Sequence, residues 1–306
     1  WKRYWKTYQL RSQHKARLEA ELKRLHADIT VSVWRQEASF LPDLKDGSRK
    51  VLELHTSKFA PVRMYPVGSK LKRQFGHLRV VIQERVAARY DRFVILTHEE
   101  KPFWKGFSNL SVIPNPLSFK PQKRADASAH RVMIAGRMEY VKNFPELLQI
   151  WARVAPDFPD WQLHIYGDGW MLDALKNKAD VLGIAPQVIF EGAVSDMETA
   201  YASSSIYVMT SHFEGLPMVL IEAQSVGLPA VSYMCSSGPR DIITDGRDGF
   251  LVELYDQETF AERLRTLMRD KELRRSMGQA AEVASHRYDL DVIMPQWLSL
   301  FNELVK

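Results

Sequence analysis

The chain has 306 residues, 45% hydrophobic and 26% charged, a length and balance that point to globular protein of two domains. A single cysteine, Cys235, excludes an internal disulfide framework and a cysteine-rich metal site and fits a reducing, cytoplasmic compartment. No stretch approaches the roughly 18 to 20 apolar residues of a spanning helix, and the N-terminus lacks the apolar core of a signal peptide.

The net charge of +5 hides an uneven split. Residues 1–126 carry 26 Lys and Arg against 12 Asp and Glu, and residues 127–306 carry 16 against 25, so +14 and −9 sum to +5. The basic first part is suited to an anionic acceptor or an anionic membrane leaflet. Nucleic acid is not expected, because no helix-turn-helix, zinc-finger spacing or aromatic RNA-binding motif accompanies the charge.

The chain opens at Trp1 inside a charged helix running through Leu18, Leu22 and Leu25, and an upstream segment is expected to be missing. Trp1, Tyr4, Trp5 and Tyr8 alternate with Lys and Arg there, as interfacial segments do, although a solvated basic helix has the same composition. Strands are predicted at Ile29–Val33, Val51–His55, Phe93–Thr97 and Ser111–Ile113, from short β-branched runs between amphipathic stretches. Four strands are fewer than a full doubly wound half needs. Residues 119–129, FKPQKRADASA, have no periodicity and read as an exposed linker.

Beyond the linker, strands are predicted at Val132–Ala135, Gln162–Tyr166, Val188–Phe190, Ile206–Met209, Pro229–Ser232 and Phe250–Val252. Helices are expected from about Pro145 and near Leu172. This alternation is that of a complete parallel sheet covered by helices. Residues 289–306 close the chain as an amphipathic helix with Ile293, Trp297, Leu300 and Leu304 at helical spacing.

Ligands of such sheets bind beyond the carboxyl ends of the strands. Gly136 and Arg137 follow the strand VMIA, and Lys142 and Asn143 come at the next helix start. Two cations and a helix N-terminus can neutralise a diphosphate. Gly167-Asp168-Gly169 follows QLHIY, where a tight turn explains it equally well.

The most informative segment is HFEGLPMVLIEAQSVGLPAVS. Gly215 permits close backbone approach, and Pro217 suits a first helical turn, which directs the N–H groups near Met218 and Val219 at a ligand. Glu214 and Glu222 lie on the order of 12 Å apart if the segment is helical. One carboxylate could then reach sugar hydroxyls and the other ribose. As structural residues, Glu214 would favour the helix dipole and Glu222 would face solvent, but its apolar neighbours Val219, Leu220, Ile221 and Ala223 argue against an open face.

Gly136-Arg137 with Lys142-Asn143, then YGDG, then EGLPMVLIEAQSVGLPAVS and SSGPRDIITDGRDGFLV, follow one another as in family 4 retaining glycosyltransferases, which the chain resembles closely over residues 131–290. VLELH and SVIPNPLSF extend a looser likeness into the first half. The resemblance implies a GT-B fold of two Rossmann-like domains: 1–118, partial and acceptor-side; 119–129, linker; 130–288, nucleotide-sugar-binding; and 289–306, a helix crossing back.

It implies that Arg137 and Lys142 grip the donor diphosphate, that Glu214 contacts the donor sugar and Glu222 the ribose. Gly136, Gly167, Gly169, Gly215, Leu216, Pro217, Met218 and Val219 would line the donor, and His55 would face the sugar. The implied reaction moves a hexose from a UDP-sugar, in preference to a GDP-sugar, to a glycan or lipid-linked acceptor without a cofactor or metal. Asp289-Leu290-Asp291 resembles a metal-holding string of another transferase fold but reads as a helix cap.

Ser236-Ser237-Gly238-Pro239 departs from the family's glycine pair in a way shared with lipopolysaccharide and capsule transferases. A nucleotide-sugar 2-epimerase and a non-catalytic donor-binding fragment are the alternatives. A dehydrogenase is discarded for want of a G-x-G-x-x-G after an opening strand.

Overall fold

The computed structural model describes residues 2–65, 68–125 and 127–306, with side chains from Leu10 onward. The aromatic-basic side chains of Trp1, Tyr4, Trp5 and Tyr8 lie outside the described residues. Two compact units divide the chain: residues 1–96, 100–114 and 294–306 form one, and residues 97–99 and 115–293 the other.

In the first unit, β1 (Ile29–Val33), β2 (Arg49–Leu54), β3 (Arg92–Ile95) and β4 (Leu110–Val112) make a parallel sheet in chain order. Parallel strands bury both faces and therefore read as continuous apolar runs. Leu52, Leu54, Phe93 and Ile95 build the core with Phe40, Leu41 and Trp104. The opening helix, Lys2–Leu25, adds Leu22 to that core and lays Leu18 against it, while Leu25 is exposed.

The second unit is a six-stranded parallel sheet in the order β10-β9-β8-β5-β6-β7. Its strands are β5 (Arg131–Ala135), β6 (Gln162–Tyr166), β7 (Val188–Gly192), β8 (Ile206–Met209), β9 (Ala230–Tyr233) and β10 (Gly249–Val252). The helices Phe144–Val154 and Gln257–Arg269 seal one face with Leu147, Trp151, Phe260 and Leu264, all fully buried. From β5 the chain winds outward through β6 and β7, then returns to β8 and winds the other way. The loops after β5 and β8 therefore part at the sheet's centre and leave a crevice beyond the carboxyl ends.

The last helix, Leu290–Val305, begins in the second unit, and from Met294 on it belongs to the first. Asp289 stands before it, its carbonyl accepting the N–H groups of Val292 and Ile293 and its carboxylate pairing with His286 at 2.9 Å.

Candidate donor site

Two glycine loops, after β5 and β6, lie against each other at the carboxyl ends of the strands. A Cβ on Gly167 (φ +121°) would lie 2.1 Å from the Gly136 carbonyl oxygen, and one on Gly169 would lie 2.6 Å from that of Met138. The Met138 N–H donates to the Asp168 carbonyl at 2.6 Å, and the Gly167 N–H to the Gly192 carbonyl at 2.7 Å. Gly167 and Gly169 thus allow the loops after β5 and β6 to lie backbone against backbone.

Gly136 has a different task. A Cβ there would meet Lys142 Cε at 3.2 Å, so the lysine stem runs alongside the bare Cα. Lys142 Nζ ends 2.7 Å from Glu214 Oε1, the two side chains being 22% and 12% exposed. Gly136, Lys142 and the acid after β8 therefore meet at one point. Arg137 extends into solvent, 77% exposed, with Glu139 as its partner at 3.1 Å.

The backbone carrying Lys142 is clamped from beneath. Asn143 takes a left-handed conformation (φ +52°), which Asn tolerates better than most residues. Its amide donates to Glu146, a buried carboxylate that also accepts the Tyr233 hydroxyl at 2.8 Å. Thr210 Oγ1 reaches the carbonyl oxygens of Lys142 and Asn143 at 3.2 and 3.3 Å. Burial, reinforced by the neighbouring carboxylate, raises the Tyr233 phenol above its usual range and keeps it a donor.

Across the crevice, the Glu214 N–H donates to the Ser236 carbonyl at 3.0 Å. Gly238 (φ +102°) is pressed so close that a Cβ would fall 2.3 Å from Pro217 Cδ. The Ser236–Pro239 loop therefore backs the Gly215–Pro217 platform, with the fully buried Cys235 just before it. Pro217 caps the Met218–Ser225 helix instead of occupying its first turn, and its carbonyl accepts the Leu220 N–H at 2.9 Å. Leu216 and Pro217 are buried, and Met218 and Val219 are half-buried. The N–H groups of Met218 and Val219 open the helix, where no carbonyl precedes them within it.

Glu222, one turn on, is half-buried and doubly held: Oε1 accepts from Ser118 Oγ at 3.0 Å and Oε2 from the Tyr201 hydroxyl at 2.8 Å. Tyr201 is fully buried, and that burial raises its phenol well above the ordinary value. Ser211 and Ser236, on the loops that flank Glu214, have buried hydroxyls without a hydrogen-bond partner among the described residues. Buried hydroxyls are seldom left unpaired.

Tyr201, Ser211 and the Glu146 clamp carry no motif signal, and Ser118 and Ser236 stand inside motifs whose sequence reading did not assign them these positions. His55 belongs to the first unit, just past β2, where Nε2 pairs with Glu53 at 2.5 Å. Among the described residues no group of three or more His, Cys, Asp or Glu could hold a metal ion.

The family model of glycosyl transferases group 1 matches residues 118–283, more than half of the chain and all the site residues of the second unit. The chain belongs to that family. Over 227 residues it is 36% identical to an exopolysaccharide phosphotransferase of Streptomyces coelicolor, covering 72% of this chain and 24% of that protein. Over 222 residues it is 33% identical to the amylovoran biosynthesis glycosyltransferase AmsD of Erwinia amylovora, covering 69% and 62%. The chain thus spans less than two thirds of either relative. A crystal structure of an S. aureus TarM mutant with Fondaparinux, alpha-GlcNAc-glycerol and UDP superposes with a TM-score of 0.79 at 20% identity, over 93% of this chain and 58% of that one. This likeness is one of fold, and the fold is GT-B, of mixed α/β class.

Proposed function

We propose that the chain binds a nucleotide sugar in its second unit and serves a retaining, metal-independent glycosyltransferase of bacterial surface-polysaccharide synthesis. It would move a hexose from a UDP-sugar to a glycan or lipid-linked acceptor on the cytoplasmic side of a membrane. The carrying observation is the meeting of Lys142 with Glu214 at 2.7 Å beside the N-terminus of the Met218–Ser225 helix. The relative named for amylovoran biosynthesis supports the pathway class, and the UDP named with TarM supports a uridine nucleotide.

The roles follow from charge. Lys142, Arg137 and the helix N–H groups neutralise the diphosphate as it leaves. The bond from the anomeric carbon to the phosphate oxygen breaks, the acceptor oxygen bonds to that carbon on the same face, and the acceptor proton passes to the departing phosphate. Glu214 holds the sugar hydroxyls, and Glu222, oriented by Tyr201 and Ser118, holds the ribose.

Calorimetric titration of the chain with UDP, GDP and their sugars, with and without EDTA, tests this reading. One nucleotide should bind regardless of EDTA and lose affinity in Arg137→Ala. No binding of either nucleotide overturns it. Donor binding without transfer would favour a non-catalytic fragment, and a changed sugar without acceptor an epimerase.

A further inference from the structure

The Lys70–Ala87 helix of the first unit is apolar on two separate faces. Gly76, Val80, Gln83 and Ala87 point inward and are buried, and Gly76 lies so close to the Pro61 carbonyl that a Cβ would come within 2.5 Å of its oxygen. On the other side Leu71, Phe75, Leu78 and Ile82 recur at the same spacing and are 67%, 59%, 54% and 48% exposed. At 3.6 residues per turn the two stripes are centred about 140° apart, with the buried Val86 between them on the Phe75 side. Surface helices ordinarily place polar residues on the outer side.

The residues beside the outer stripe are cationic. Helical spacing sets Lys72 and Arg79 along one flank and Lys70 and Arg85 along the other. With Arg73 the helix holds five cations against one acid, Glu84. An apolar stripe between two basic rows is the pattern of a helix lying in the plane of a lipid interface. No helix among the described residues is long and apolar enough to cross a membrane.

We propose that this helix docks the chain onto an anionic lipid surface. Leu71, Phe75, Leu78 and Ile82 enter the boundary between headgroups and acyl chains, and Lys70, Lys72, Arg79 and Arg85 meet the headgroup phosphates. Charge selects lipid over a second copy of the chain, because two such helices packed face to face would oppose like-charged rows. The inference deepens the proposed function, since it supplies the surface that would approach a lipid-linked acceptor, and its test needs no turnover.

The experiment is flotation of the whole chain with phosphatidylcholine vesicles, with and without added phosphatidylglycerol, across a salt series. Binding is expected to the anionic vesicles alone and to weaken with salt. Phe75→Glu with Leu78→Glu should weaken it at least about tenfold. Lys72→Glu with Arg79→Glu should weaken it by about tenfold or more and flatten the salt dependence. Leu78→Ser is the milder variant if the double change unfolds the unit, as circular dichroism would reveal. UDP affinity should be unchanged in all of them, so loss of nucleotide binding in the parent would sink the proposed function and leave the docking helix standing. Absence of vesicle binding, undiminished binding of Phe75→Glu with Leu78→Glu, or a dimer in light scattering that this variant dissolves would each overturn the inference.

Discussion

The hydroxyl of Tyr201 donates to Oε2 of Glu222 across 2.8 Å, from a ring with no exposed surface. The donor cannot turn away into water, so one lone-pair direction of the carboxylate is fixed from below. Tyr201→Phe keeps the ring and removes the bond. UDP affinity should fall about three- to tenfold by calorimetry, with the melting temperature nearly unchanged. Parental affinity in the variant would show that Glu222 needs no such support.

In the proposed function Glu214 and Glu222 divide the donor between them. Glu222→Ala should weaken UDP binding, whereas Glu214→Ala should lower turnover about a hundredfold and spare UDP affinity. Removing Glu214 takes from Lys142 the carboxylate 2.7 Å away and frees that cation for phosphate. Equal losses of UDP affinity in the two variants would contradict the division.

The seam between the glycine loops has no slack. In Gly167→Ala the new carbon would meet the Gly136 carbonyl oxygen at 2.1 Å with φ at +121°. A loss of about 2 kcal/mol or more is expected, read as a drop in the thermal midpoint. Gly246 (φ +74°) has nothing within 4 Å of the same added atom, so Gly246→Ala should cost only about 1 kcal/mol. Matching losses would mean that backbone strain alone, and not the seam, sets the cost.

Acid should loosen the second unit partly through His164. Burial on β6 holds its imidazole below the ordinary value of 6.5, against the opposing pull of its hydrogen bond to Glu191. The unfolded chain therefore takes up this proton first as pH falls through that value. Stability declines until folded His164 is protonated as well. Chemical-denaturation midpoints between about pH 7 and 5 should fall less in His164→Gln than in the parent. An unchanged slope would assign the acid sensitivity elsewhere.

The central strands of the second sheet were legible because they are short apolar runs with both faces buried, as in Val132–Ala135 or Ile206–Met209. The boundaries moved by a residue or two where backbone pairing outlasts the apolar run, as at β7, which continues through Glu191 to Gly192. Lys142 and Glu214 were legible as motif members, 72 positions apart, but not as an ion pair. Their meeting depends on the strand order that puts β8 beside β5. The parts played by Tyr201, Ser118 and Glu146 were illegible because a tyrosine, a serine and a first-turn glutamate are chemically ordinary. Only the tertiary approach gives them partners. Pro217 was expected one position deeper, since its ring suits either a cap or a first turn.

The sole thiol of the chain gives the donor platform its own reporter. Cys235 is fully buried next to the loop that backs Gly215–Pro217, and a buried thiol reacts only when its surroundings open. Its alkylation rate therefore counts excursions of that platform, with no second cysteine to confuse the signal. A nucleotide that tightened the platform would slow the labelling, so a plain mass measurement could rank donors before any acceptor is known.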